Sequence, residues 1–310
     1  MARRPFGRTG YEVSALGFGG GPVGFLETEQ EQVARLLNSL LDRGVNLIDT
    51  AAGYAGSEEA IGKAISHRRD DYVLVSKCGR AFEDLPGEAW SREVVLATID
   101  RSLRRLNTQH IDVMLLHSCD LETLERGEAV AALVEAREAG KIRFAGYSGD
   151  NEAANYAVGL DDVAVLETSV NICDQANIDT VLAEAERRGV GVLAKRPIAN
   201  AAWKARSDQR GMYADYAGTY SERLAAMNIT PEDLGFEGDP ARVWPEIALR
   251  FTLAQLGVNT AIVGTTSSQH LEGNLDAAAE GPLDPDAVRR LRDAFRRAEQ
   301  AAGEAWPGLQ

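Results

Sequence analysis

The sequence predicts an α/β fold: a closed (β/α)8 barrel of the TIM type, with residues 1–310 as a single domain. Three observations predict it. Short apolar runs with β-branched members alternate with helical patterns along the whole chain. The alternation completes eight strand-then-helix units, with strands near positions 16, 47, 74, 114, 145, 165, 193 and 262. No break in composition divides those units into two groups, which favours one closed barrel over two domains.

Each element has its own justification. Residues 5–15 alternate loosely around Gly7 and Thr9-Gly10, as a β-hairpin plugging one end. Residues 15–21 form a strand that runs into a glycine-rich turn. Thr28 and Glu31 have the spacing of a capping box, opening a helix that ends at Gly44. Residues 45–48 are a buried strand ending at Asp49. Ser57-Glu58-Glu59 then reads as a capping serine with two acids in the first turn of a helix. Strands at 72–77, 111–117, 144–148, 163–167 and 191–195 alternate with helices at 91–106, 129–139, 152–158 and 178–188. A long loop insertion after strand seven, 198–243, carries Trp203, Tyr213, Tyr216 and Tyr220, with a small helix begun by Thr230-Pro231. A helix at 245–256, the strand 260–263 and a helix at 268–279 complete the barrel, and Asp284-Pro285 begins an extra C-terminal helix.

Bulk properties narrow the function. A net charge of −14 argues against nucleic acid or an anionic membrane surface as the main partner. No run of about 18 apolar residues exists to span a bilayer, and residues 1–6 carry charge without a secretory apolar segment. Three widely spaced cysteines, Cys78, Cys119 and Cys173, suit a reducing compartment. The expectation is a cytoplasmic, enzyme-sized protein that acts on a small molecule; its oligomeric state is not legible.

In such a barrel the carboxyl ends of the strands share one face, where catalytic groups collect. The polar residues at those ends are Asp49, Lys77, His117, Ser148, Glu167 and Lys195, with Tyr54 on the loop after strand two. Each has a plain reading on its own: a cap, a rim charge, a packed aromatic, a satisfied core histidine. Asp49, Lys77 and His117, however, end three successive strands and can converge beneath Tyr54. A phenol with a pKa of roughly 10 is a poor acid at neutral pH. A nearby ammonium favours its phenolate, a carboxylate keeps that ammonium charged, and an imidazole can orient a carbonyl oxygen. The matching task is to protonate a carbonyl oxygen as hydride reaches its carbon.

The same residues carry a resemblance. Phe6-Gly7-Arg8-Thr9-Gly10 followed by residues 13–19 is similar to the opening of the aldo-keto reductases. Residues 44–54, from Gly44 to Tyr54, resemble that family's most specific signature, and Val75-Ser76-Lys77 and Leu115-Leu116-His117 resemble two others. The resemblance implies a carbonyl reductase, or an alcohol or sugar dehydrogenase in reverse. Tyr54 would be the general acid/base, tuned by Lys77 and Asp49, with His117 positioning the substrate carbonyl. It also implies a dinucleotide cofactor, NADP(H) by preference with NAD(H) open. The implied contacts are Gly20, Ser148, Glu167, Lys195 and Arg196 towards the nicotinamide and pyrophosphate. Gly264, Thr265, Thr266, His270 and Asn274 lie towards the adenosine phosphate. Three positions depart from the family pattern: Gly149 replaces an asparagine, Glu167 an amide glutamine, and Lys195 an aromatic. Residues 264–274 open a helix after strand eight, where backbone N–H groups bind phosphate, yet that stretch holds no Lys or Arg.

Competing readings are weaker. Gly19-Gly20-Gly21-Pro22-Val23-Gly24 has Rossmann spacing, with Asp49 at the distance of a ribose-binding acid. Against it, Pro22 and the loop to Thr28 predict no helix directly after the glycines, and Lys77 and His117 gain no role. No Tyr-x-x-x-Lys occurs, Cys119 has nothing to orient it as a nucleophile, and four scattered histidines make a metal site improbable. A non-catalytic, dinucleotide-sensing subunit on the same barrel is the alternative from another class. The aromatics of the insertion, with Trp306, either wall a substrate pocket or anchor the insertion.

Overall fold

The computed structural model describes residues 1–25, 28–85, 87–204 and 213–309, apart from the side chains of 213–216. Strands β1 (Arg3–Pro5) and β2 (Glu12–Ser14) pair antiparallel as a hairpin. Eight parallel strands follow: β3 (Leu16–Gly19), β4 (Leu47–Asp49), β5 (Val73–Cys78), β6 (Ile111–His117), β7 (Ile142–Ser148), β8 (Val163–Ser169), β9 (Gly191–Lys195) and β10 (Thr260–Val263). They pair in chain order, and β10 returns to pair with β3, closing the barrel. The predicted (β/α)8 architecture, with its N-terminal hairpin, is therefore the observed one.

The helices are α1 (Gly21–Phe25), α2 (Gln30–Asp42), α3 (Ser57–Ile65), α4 (Arg92–Arg105), α5 (Leu121–Arg126), α6 (Glu128–Glu138), α7 (Asn151–Ala157), α8 (Ala183–Arg188), α9 (Tyr213–Met227), α10 (Pro240–Leu253), α11 (Ser268–Ala279) and α12 (Pro285–Ala302). Outward strand residues such as Ile48, Leu74, Met114 and Leu166 pack under them in one continuous core. A second cluster joins α10 and α12 to Tyr220 and Trp306.

The barrel interior is what positions the site. Side chains alternate along a strand, so residues two apart share a face. The inward rows are Leu47 on β4, Val73 and Val75 on β5, Val113 and Leu115 on β6, Val165 on β8 and Leu193 on β9, plugged from below by Phe6 and Val13 of the hairpin. Two residues further along each row stand Asp49, Lys77, His117, Glu167 and Lys195. An apolar plug thus carries a layer of ionisable groups on its upper surface.

Several local expectations are corrected. A helix, α1, does spring from the glycines at Gly21, with Pro22 in its first turn, where proline needs no N–H partner. The dinucleotide-fold alternative fails on the closed barrel itself, not on that loop. No capping box forms at 28–31: α2 starts at Gln30, and Thr28 Oγ1 donates to Pro22 O at 3.4 Å. Ser57 is not a cap either. Its Oγ turns inward to donate to Gly20 O at 2.9 Å, with Thr50 Oγ1 2.9 Å away. The insertion after strand seven is not a plain loop, because it contains the 15-residue helix α9. Helix α10 begins at Pro240 behind the Asp239 cap, so Pro245 lies inside it and does not open it. The short helix α5, capped by Asp120, was not expected.

Candidate functional site

Lys77 lies at the centre of the charged layer and has no exposed side-chain surface. Its ammonium donates to Asp49 Oδ1 at 2.6 Å, Asp49 Oδ2 at 2.8 Å and the Thr50 carbonyl oxygen at 3.1 Å. Glu167 Oε2 reaches the same Nζ at 2.9 Å from across the barrel. That contact is an ion pair without a hydrogen bond, since the ammonium's donors are already directed elsewhere and Glu167 Oε2 has no donor of its own. Burial works against the Lys77 charge, but Asp49 and Glu167 outweigh it and push the pKa up. Asp49 is pushed well above the usual carboxylate range by burial and by the charge of Glu167, against the pull of Lys77.

Tyr54 stands over this cluster, partly exposed, with Lys77 Nζ 5.3 Å from its ring centroid. His117 meets the Tyr54 ring edge-on at 5.9 Å between centroids. Burial, reinforced by the charges of Lys77, Arg80 and Lys195, holds the His117 pKa well below its ordinary value, so the imidazole is neutral at pH 7. His117, Ser148 and Glu167 share one rung of the sheet, each paired with the next. A cation locked beside a phenol, with a neutral imidazole against the same ring, is equipped to move a proton at one point above the barrel.

Two members were missed from sequence. The carbonyl of Thr50 is Lys77's third acceptor, and Phe25 packs edge-on to Tyr54 at 5.3 Å between centroids. A residue next to Asp49 was findable in principle. Phe25 was not, because nothing in a glycine-rich segment says which way its last turn faces.

The profile of the Aldo/keto reductase family matches residues 15–296. The chain belongs to the aldo/keto reductase family. Members are NAD(P)H-dependent oxidoreductases built on this barrel. The chain is 26% identical to L-galactose dehydrogenase of Arabidopsis thaliana, over 89% of this chain and 88% of that one. It is 27% identical to an uncharacterized oxidoreductase of Bacillus subtilis (strain 168), over 94% and 96% of the two chains. Among solved structures it is similar to an aldo-keto reductase from Bacillus halodurans in its holo form. That match has a TM-score of 0.79 and 25% identity, covering 95% of this chain and 96% of that one.

The residues present fit a nicotinamide cofactor of the kind the family uses. The Glu167 carboxyl group lies beside Ser148 on the same rung, both buried, where a carboxamide NH2 would find an acceptor. After β9, Asn200 Nδ2 and Trp203 Nε1 are donors that lack partners among the described residues. After β10, Ser267 caps α11 by accepting from His270 N at 3.3 Å, and Thr265 Oγ1 accepts from Ser267 N at 3.1 Å. Those two amides are satisfied, and helix geometry leaves Ser268 N and Gln269 N of the first turn without intrahelical acceptors, the kind of donor an anion takes. Gly264 and His270 are exposed there and Asn274 is buried, while the Thr266 carbonyl accepts from Gln32 Nε2 at 2.6 Å.

The other cofactor candidates have partners within the chain. Gly20 N donates to Asp49 O at 2.7 Å, and a Cβ on Gly20 would lie 2.8 Å from Ser57 Oγ, so this glycine lets α1 close on the end of β4. Lys195 pairs with the buried Asp150 at 2.9 Å. Arg196 Nη1 donates to Ser169 Oγ at 3.0 Å and to the Leu309 carbonyl, binding the C-terminal tail. Of the insertion's aromatics, Trp203 stacks on Trp244 at 6.1 Å and Tyr220 is buried with its hydroxyl donating to Asp174 Oδ2 at 2.8 Å. Trp306 meets Phe295 edge-on at 5.1 Å. These three act as anchors; the side chains of Tyr213 and Tyr216 lie outside the described residues.

Proposed function

We propose that the protein reduces an aldehyde or ketone to the alcohol with NAD(P)H, or runs the reverse reaction on a sugar or secondary alcohol, with Tyr54 as general acid/base. The observation that carries this reading is the Lys77 ammonium, fixed by Asp49 beneath the Tyr54 ring. A positive charge held there favours the phenolate and so makes the phenol a stronger acid. Tyr54 gives its proton to the carbonyl oxygen as negative charge develops on it, and in reverse takes a proton from the hydroxyl. His117, being neutral, offers a ring N–H or lone pair to orient that oxygen without competing for the proton. Phe25 supplies an apolar wall beside Tyr54. The nicotinamide, when bound, supplies or accepts the hydride.

NADP(H) is the first cofactor to test, on the strength of the family, held by the α11 N-terminus with His270 towards a 2′-phosphate. NAD(H) is the second, favoured by the lack of Lys or Arg between 264 and 274, since a 2′-phosphate is best met by Arg forks or Lys. Fluorescence titration with NADPH and NADH separates them. The likeness to L-galactose dehydrogenase makes aldoses the first substrates to try, followed by simple aldehydes.

The test is Tyr54→Phe, assayed by NADPH and NADH oxidation across that carbonyl panel. The rate is expected to fall by roughly 10²–10⁴-fold with cofactor affinity retained. An unchanged rate overturns the assignment. If the wild type binds cofactor but turns over no carbonyl or alcohol, the non-catalytic sensing role replaces it.

A further inference from the structure

The charged layer holds more anion than a lysine–carboxylate pair needs. Asp49 and Glu167 both reach Lys77 Nζ, at 2.6 and 2.9 Å, and all three side chains are buried. Among the described residues, Lys77 hydrogen-bonds only to Asp49 and Thr50, and it is Glu167's one salt-bridge partner. Other ionisable groups around the cluster are occupied. Tyr54 and neutral His117 cover it from above, Arg80 Nε donates to His117 O at 3.2 Å, and Lys195 pairs with Asp150 at 2.9 Å.

Two full negative charges against one positive would leave an uncompensated charge in a space closed to water, which low-dielectric surroundings penalise heavily. One carboxylic O–H removes the excess charge and also gives an acceptor without a donor, Glu167 Oε2, something to bond. Like charges at close range resolve themselves this way, one group keeping its proton. We propose that Asp49 and Glu167 hold a single proton between them beside Lys77, so that the cluster is neutral and Glu167 acts as a positioning residue for the Tyr54–Lys77 pair. The upward displacement of Asp49's titration agrees with this arrangement.

The proton matters for chemistry because Tyr54 senses the net charge beneath it. With the proton in place, Lys77 faces one anion and its field still favours the phenolate. Once the proton leaves, the second carboxylate opposes the phenolate. This consequence rests on the reductase reading given above; the shared proton does not.

The experiment uses the full chain without cofactor. Infrared difference spectra of wild type against Glu167→Gln at pH 7 are expected to show a protonated-carboxyl C=O band, shifted in D2O, that the variant lacks. Asp49→Asn is expected to lose the same band, while Asp174 and Glu58, protonatable elsewhere, cancel in both differences. A band that persists in Glu167→Gln, or no band in wild type, overturns the proposal. Should either variant fail to fold, ¹³C labelling of aspartate Cγ and glutamate Cδ in the Asp174→Asn, Glu58→Gln double variant gives the second reading: a protonated carboxyl signal at pH 7 is required, and its absence overturns the proposal. For turnover, alcohol oxidation is followed into the alkaline range, where the shared proton leaves the wild type before Tyr54 ionises; Glu167→Gln, with no second carboxylate to oppose the phenolate, is expected to move the midpoint about one unit to lower pH, and Glu167→Asp to restore it. An unmoved midpoint with the infrared band present discards the link to Tyr54 while leaving the proton in place.

Discussion

The ammonium of Lys77 donates to both carboxylate oxygens of Asp49, at 2.6 and 2.8 Å, where almost none of either side chain meets water. Removing one partner of a buried pair strands the other charge, which typically costs about 3–5 kcal/mol. Lys77→Met strands the anion that Asp49 presents to the ammonium. Burial already raises the Asp49 pKa, and without Lys77 nothing pulls it back, so the penalty is absent below the ordinary carboxylate range and grows as pH rises. Urea unfolding should show a loss of about 3–5 kcal/mol at pH 7 that shrinks at pH 5. A loss independent of pH would mean the lysine contributes only packing.

His117 carries the opposite sign. Burial and the charges of Lys77, Arg80 and Lys195 depress its folded pKa well below the ordinary histidine value. Its contribution to stability is therefore present above about pH 6.5 and lost as pH falls below it. Between pH 7 and 5, His117→Gln should lose less stability than wild type, by up to about 1.4 kcal/mol per pH unit. Nitrogen NMR of the ring checks the cause directly: a protonated His117 at pH 6 would contradict it.

What was legible in the sequence was whatever follows from alternation. The inward rows Val73-Val75-Lys77 and Val113-Leu115-His117 announce a strand and the group at its end in one pattern, so the barrel and the cluster of Asp49, Lys77, His117 and Tyr54 were readable together. Ends of helices were not. Ser57 and Thr28 are cap-type residues, but their hydroxyls found partners at Gly20 and Pro22 that lie far off in the chain or across a turn. Helix α9 was hidden because its segment offers no strong apolar stripe. The link from Lys77 to Glu167 spans the barrel, from β5 to β8, and no local pattern encodes a contact of that separation.

Packing leaves no room for a side chain at position 149. Tyr147 is fully buried, its hydroxyl donates to the Cys119 carbonyl at 2.7 Å, and a Cβ at position 149 would lie 2.3 Å from that hydroxyl oxygen. Gly149 and Tyr147 are thus one choice made at two positions. Gly149→Asn forces the ring to move and abandon its hydrogen bond, and overpacking of this kind costs about 1–3 kcal/mol. Thermal unfolding should show a lowered Tm for Gly149→Asn. Pairing it with Tyr147→Ala should recover part of the clash, so the double variant should lose less than the two singles together. Strict additivity would show that the two positions do not compete for space.

The C-terminal tail supplies the last test, because its docking depends on a buried acid. Asp174 Oδ2 accepts from Leu309 N at 3.0 Å and from Tyr220 Oη at 2.8 Å, while its Oδ1 has no partner. Burial, with the charge of Asp150 adding to it, pushes the Asp174 pKa up to about 7. A folded pKa above the unfolded one means that the penalty for ionising Asp174 is absent below about pH 4 and complete once pH passes 7. Asp174→Asn keeps an acceptor oxygen for Leu309 and Tyr220 but cannot ionise. The variant should therefore gain on wild type as pH rises from 5 to 8, by a few kcal/mol at most, since each pKa unit is worth about 1.4 kcal/mol. Tm measured across that range decides it. A difference between the two proteins that stays constant with pH would show that Asp174 is already ionised at pH 5 and that the tail is held by charge.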